Sequence, residues 1–237
     1  MMKKSLLLIT VSIFAVVAAG CSASITTNTT SNNAKPANTA ANSTSSNSSS
    51  SNSASNSNSA KKDQAKLTNE KKPEGKSKKV STNPVPTNWV YVYDEKKGYG
   101  FSVPEGTTGE SNSQDGVDVF GATTPEKIDI FVIAYKDKTL SKEDLLKDAV
   151  DFLTEMGQTV KPGALKGESA DYSVADADTE MKADGRKGKL RILVGTDVTD
   201  NYIMILGTDA DKFAANEKII DEIWGSFEMW SGGASGS

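Results

Sequence analysis

The chain has 237 residues, with 27 Lys and Arg against 31 Asp and Glu, no histidine and one cysteine. Without imidazole it cannot build Ser-His-Asp or Cys-His nucleophiles, histidine metal ligation or the commonest acid/base step, so those enzyme classes are excluded. A single thiol forms no internal disulfide, and stability must come from a packed core.

Lys3 and Lys4 precede an apolar run over residues 6–17, and Ala18, Ala19 and Gly20 precede Cys21. A basic start, a short apolar stretch and small residues before a cut are the parts of a secretory signal. The run of about a dozen residues falls short of the ~20 that a spanning helix needs. The segment Ala18-Ala19-Gly20-Cys21 resembles a bacterial lipobox, with Ala18 where Leu is commoner. That resemblance implies a signal peptide over residues 1–20, a diacylglycerol on the Cys21 sulfur and acylation of the new amino terminus. Two or three acyl chains hold a protein to a bilayer stably. The expected location is extracytoplasmic and lipid-anchored to a bacterial cell membrane; Ser22 points to the outer membrane if the host is Gram-negative.

Removing Lys3 and Lys4 leaves 25 basic residues against 31 acidic ones, and the charge is unevenly spread. From 22 to 60 every residue except Ile25, Lys35 and Pro36 is Ser, Asn, Thr or Ala. Such a composition has too little to bury to offset ordering entropy, so it predicts disorder. Residues 61–82 carry eight lysines against Asp63, Glu70 and Glu74, whereas residues 83–237 hold 16 basic and 28 acidic side chains, net −12. Residues 21–82 therefore read as a tether of roughly 40–50 Å r.m.s. reach. Its lysines read as a solvated linker or as a strip that rests on anionic headgroups or wall polymers. Residues 83–230 read as one globular domain, and 231–237 as a flexible tail.

Within the domain, Trp89, Tyr91 and Tyr93 share one face of a strand by alternation. After a turn over 94–98, Tyr99-Gly100-Phe101-Ser102-Val103 returns as a hairpin partner that closes at Pro104-Glu105-Gly106. Further strands are predicted over 116–122 and 128–135. Ser141-Lys142-Glu143-Asp144 fits a capping pattern, followed at helical spacing by Leu145, Leu146, Ala149, Val150, Leu153 and Met156 until Gly157. Residues 161–163 read as turn. Strands over 170–181 and 189–194 read as a hairpin about Ala183-Asp184-Gly185, with Asp178 and Glu180 facing Lys187, Lys189 or Arg191. An apolar strand follows over 202–206. A helix opening at Thr208-Asp209-Ala210-Asp211 carries Phe213, Ile220, Ile223 and Trp224, and a last strand runs over 226–230.

The predicted fold class is α+β, a mainly antiparallel sheet with helices packed on it. The segment from Tyr99 to Gly106, the mid-chain helix and Ile219-Ile220-Asp221-Glu222-Ile223-Trp224-Gly225-Ser226-Phe227 together resemble the PsbP/DcrB-like superfamily over about residues 88–230. Thr107 stands where an aromatic often follows Pro-Glu-Gly. The resemblance implies an α/β/α sandwich and a tendency to bind partners; relatives include a photosystem II extrinsic subunit, a Ran-binding family and many bacterial lipoproteins. It brings no catalytic residues.

The patterns that would carry chemistry fail on spacing. Asp176-Ala177-Asp178-Thr179-Glu180 suggests a calcium loop, yet Met181 stands where glycine and Lys187 where a bidentate glutamate is required. Gly185-Arg186-Lys187-Gly188-Lys189 has the charge of a phosphate loop without its spacing. There is no G-x-S-x-G elbow, and no feature selects a carboxylate pair. The sequence therefore leads to no enzyme, no cofactor, no metal and no nucleic acid, since a domain at −12 repels phosphate. Trp89, Tyr91, Tyr93 and Tyr99 are the candidate ligand or partner surface, read either as an aromatic platform or as cross-strand packing. The expected role is a binding or accessory module that acts by protein contacts in the cell envelope. The alternative is a lipoprotein that binds a small ligand or wall glycan through the aromatic hairpin.

Overall fold

The structure, a computed structural model, describes residues 76–114, 117–198 and 200–230. The signal peptide, Cys21, residues 22–75 of the tether and the 231–237 tail lie outside the described residues.

Among the described residues twelve strands and two helices follow in the order β1 (Ser77–Lys79), β2 (Val90–Asp94), β3 (Tyr99–Val103), β4 (Thr108–Gln114), β5 (Val117–Thr123), β6 (Asp129–Tyr135), α1 (Lys142–Glu155), β7 (Gln158–Pro162), β8 (Lys166–Gly167), β9 (Tyr172–Met181), β10 (Lys187–Asp197), β11 (Asp200–Asp209), α2 (Phe213–Gly225) and β12 (Glu228–Trp230). They build two sheets, one ordered β1-β12-β3-β2 and one ordered β4-β5-β6-β11-β10-β9-β7, with β8 also paired to β9. Every pairing is antiparallel. The chain is thus α+β, and the expected sheet is two sheets.

The larger sheet is apolar on both faces because its central strands alternate between two cores. Ile130, Val132 and Ala134 of β6, with Tyr202, Met204 and Leu206 of β11, face Phe101 and Val103 of β3 and Ile220 and Ile223 of α2. Phe131, Ile133 and Tyr135, with Ile203 and Ile205, face Leu145, Ala149 and Leu153 of α1. The layers are therefore α1, the large sheet, and a third layer shared by α2 and the small sheet.

Local chemistry sets the boundaries. Ser141 caps α1 by accepting from the Asp144 amide, and the Asp144 carboxylate accepts from the Ser141 amide, closing a capping box. Gly157 then takes φ +84, the left-handed conformation that ends a helix at little cost to glycine. In the β9–β10 ladder Glu180 stands opposite Lys187, Asp178 opposite Lys189 and Asp176 opposite Arg191, so opposite charges pair across the strands.

Four features depart from expectation. Residues 77–79, assigned above to the tether, form a strand, so the boundary at 82/83 cuts through the fold. Polar β4 adds a strand that the pattern does not predict, because an edge strand with the sequence TGESNSQ carries no apolar alternation. Lys161 and Pro162, expected in a turn over 161–163, end strand β7 and pair with β9. Finally, α2 starts at Phe213 with no side-chain cap, since Thr208 and Asp209 are held in β11 opposite Lys189 and Gly188.

Candidate functional site

The aromatic hairpin divides its side chains among three environments. Tyr99 is 3% exposed, packed against Phe101, Phe227 and Tyr202 with ring centroids 5.9–6.3 Å apart. It is core, and its assignment to a binding surface is corrected. The cause is register: Gly98 turns the hairpin at φ +69 and places Tyr93 opposite Gly100, so Tyr99, Phe101 and Val103 all point inward.

Tyr91 and Tyr93 lie on the outer face of the small sheet, where alternation puts them. Their rings stack at 6.5 Å, and Tyr93 meets Trp230 edge-on at 5.1 Å. Gly100 is the floor beneath Tyr91, because a Cβ there would sit 2.3 Å from the phenolic oxygen. That hydroxyl donates to Glu228 Oε1 at 2.6 Å. Glu228 is only 1% exposed and also accepts from Ser77 Oγ at 2.7 Å, with Lys79 Nζ 3.8 Å from the same Oε2. Burial first, then the carboxylate it serves, pushes the Tyr91 hydroxyl above the usual tyrosine range. Tyr91 is therefore committed to holding β1, β12 and β2 together, which is packing work.

Trp89 stands apart from this pair. Its amide donates to Pro86 O at 3.1 Å, closing a turn just before β2, and its ring packs against the core from a half-buried position. There it enters an open groove of about 520 Å³ with Pro104, Glu105, Glu126, Lys218 and Glu222. Three separate turns and a helix build this groove. The β3–β4 turn presents Glu105 because Gly106 adopts φ +85 and Thr107 donates to Pro104 O through both its amide and its hydroxyl. The β5–β6 turn presents Glu126, held where the Thr124 and Ile128 amides bond across it and Asn216 Nδ2 donates to Glu126 O at 3.3 Å. Lys218 and Glu222 come from successive turns of α2, 3.9 Å apart. Three carboxylates against one ammonium leave the groove net negative. Sequence reasoning found Trp89 but missed its neighbours; the available signal was two Pro-Glu turns, at 104–105 and 125–126.

Ion pairs elsewhere hold elements to one another. Lys78 Nζ bridges Asp171 at 2.8 Å and Asp197 at 3.0 Å, and Lys136 meets Asp200 at 2.5 Å. Lys97 pairs with Asp118. Arg191 gathers Asp176, Asp221 and, at 3.7 Å, Glu217, tying α2 to the β9–β10 ladder. The Asp176–Glu180 run lies within strand β9, where no calcium loop can form. Among the described residues no group of three or more metal-ligating side chains is placed to hold an ion. A second groove, of about 510 Å³, runs between α1 and the 162–165 connection and is lined by Leu146, Val150, Pro162 and Leu165 between Glu143 and Lys147.

No protein-family model matches the chain, and no curated protein matches it. The solution structure of cyanobacterial PsbP (CyanoP) from Synechocystis sp. PCC 6803 is similar at 18% identity, covering 61% of this chain and 94% of that one with a TM-score of 0.47. The crystal structure of LpqN, involved in cell envelope biogenesis of Mycobacterium tuberculosis, is similar at 11% identity, covering 65% of this chain and 91% of that one with a TM-score of 0.29. At these scores the architecture rests on the strand pairing described above.

Proposed function

We propose that this chain is a lipid-anchored, extracytoplasmic accessory module whose domain meets another envelope protein at the Trp89 groove. The anchor is the acylated Cys21 that the leader sequence implies, and the reading assigns the domain no catalytic step. No helix among the described residues is long and apolar enough to cross a membrane.

The observation that carries the reading is the polarity of the small sheet. The chain joins the domain at Ser77, opposite Trp230, and the Trp230 amide donates to Gly98 O at the β2–β3 turn. Trp89 and its groove lie at the other end of β2, about 17 Å away at the strand rise per residue. A tether that attaches at one end leaves the opposite end facing away from its attachment. There, a large ring beside an open polar groove has the composition that interface anchors favour.

A second reading is that the groove binds a wall glycan, favoured by its reaching Trp89 with Asn88 and two glutamates as hydrogen-bonding groups. Site-specific photo-crosslinkers in the intact envelope separate the two. Adducts to one protein from Asn88 and Glu105, with none from Glu155 at the end of α1, support the protein-contact reading. Adducts confined to glycan transfer support to the second reading. An absence of adducts at Asn88 and Glu105 removes the groove from either role.

A further inference from the structure

We infer that β1 is a releasable strap at the joint between tether and domain: a charge-held edge strand whose opening lengthens the tether and bares the edge of β12. This goes beyond the proposed partner contact and holds whichever molecule occupies the Trp89 groove.

The strand is Ser77-Lys78-Lys79, which gives the core no apolar side chain; only Val80, just after it, packs against the core. Among the described residues it pairs with β12 alone, through Ser77↔Trp230, Lys78↔Met229 and Lys79↔Glu228, and is the last strand of its sheet. Polar contacts hold it on both sides. On the outer face, Ser77 and Lys79 meet Glu228. On the inner face, Lys78 reaches across to the large sheet, pairing with Asp171 before β9 and Asp197 at the end of β10, and its carbonyl accepts from Tyr172 Oη at 2.7 Å. A strand held this way differs in kind from β11, whose alternate side chains fill both cores. Lys78–Asp171 is partly exposed on both sides, the kind of pair that contributes little and weakens with salt, and the ammonium groups facing the buried Asp197 and Glu228 carboxylates are themselves a third to a half exposed. Local opening free energies in one domain run from near zero up to the global value, and edge elements with few apolar contacts lie at the low end.

The geometry also sets how β1 opens. The tether joins at Ser77, so tension from the anchor strips the antiparallel pairs one after another from the Ser77 end, followed by the Val80 amide to Phe227 O and the Ser81 amide to Gly225 O. Freeing residues 76–85 adds ten residues, up to roughly 33 Å of contour. The edge of β12 then presents unpaired amides and carbonyls, the arrangement that accepts an added strand. Strand β3 keeps β12 in place from the other side.

Hydrogen exchange of the full-length chain, wild type against Lys78→Gln, tests this. The expected result is at least tenfold faster exchange of the 77–81 amides and of the β12 amides that face β1, with β11 unchanged. Raising sodium chloride from 0.05 to 1 M should move the wild type in the same direction and the variant less. If β1 and β11 accelerate together in the variant, β1 is integral to the global fold and the strap is refuted; unchanged β1 rates refute it equally. Should Lys78→Gln fail to fold, the wild-type salt series decides alone, because salt-independent exchange at 77–81 overturns the inference.

Discussion

The two sheets reach stability by different routes. In the large sheet, β6 and β11 send alternate side chains into separate cores, and Ile130, Val132, Ile203 and Leu206 are fully buried. In the small sheet the inner face joins one of those cores, while the outer face is held by the Tyr91–Tyr93–Trp230 ring cluster and by one buried carboxylate, Glu228, that serves Tyr91, Ser77 and Lys79. The large sheet is thus a platform insensitive to any one polar contact, whereas the small sheet, which carries β1 and the start of the Trp89 groove, depends on a few.

Substitutions can break this contrast at graded strengths. Phe101→Ala, at the contact between the two sheets, removes a ring with 0% exposure and should cost about 3–5 kcal/mol in chemical denaturation. Glu228→Ala removes the buried acceptor shared by the Tyr91 and Ser77 hydroxyls, with an expected loss of about 2–3 kcal/mol. Gly100→Ala drives a methyl group into the Tyr91 ring and close to Val92 O, and a loss of about 1–3 kcal/mol is expected. Tyr91→Ala should suppress part of that loss in a double-mutant cycle; additive effects would place the strain elsewhere. Ser141→Ala opens the capping box and should lower stability by ~1 kcal/mol without touching either sheet.

The smallest effect is on pH dependence. Hydrogen bonds from Lys78 to Asp171 and then Asp197 raise its pKa above 10.5. A lysine raised in the folded state contributes stability that is complete below 10.5 and disappears as pH rises through the folded value. Thermal melts of the wild type should therefore fall between pH 10 and 12 more steeply than those of Lys78→Gln. Parallel curves would mean that the pairs contribute nothing.

Legibility in the sequence followed the same contrast. Strands β2, β3, β6, β9, β10 and β11 were readable because period-two alternation or an unbroken apolar run records burial directly, and α1 because a capping residue, a stripe and a terminal glycine coincide. Strands β1, β4 and β7 were not, since none of SKK, TGESNSQ and QTVKP carries apolar alternation, and β1 pairs with a strand at the far end of the fold, Trp230 for Ser77. The lysine run that marks a tether continues without a break into β1, so composition cannot locate the joint. At the candidate site, alternation placed Tyr91 and Tyr93 on one face. It could not tell that Trp89 precedes the strand or that Tyr99 falls inside. The acidic rim of the groove comes from residues more than 100 positions apart, such as Glu105 and Glu222, which meet only once the sheets pack. A practical consequence concerns domain boundaries: a fragment starting at Asn83 loses β1 and the Lys78 bridges, so binding work requires a start at or before Lys76.

On the proposed function the domain meets its partner through its Trp89 end. Hydrogen exchange of the full-length chain in native membranes, compared with the same chain extracted and purified, reads whether that end is covered. Protection in membranes concentrated at residues 88–89, 104–106, 126 and 218–222, and weakened by Trp89→Ala, is the predicted result. Protection confined to α1 and the 162–165 connection, or identical exchange in the two states, would contradict it.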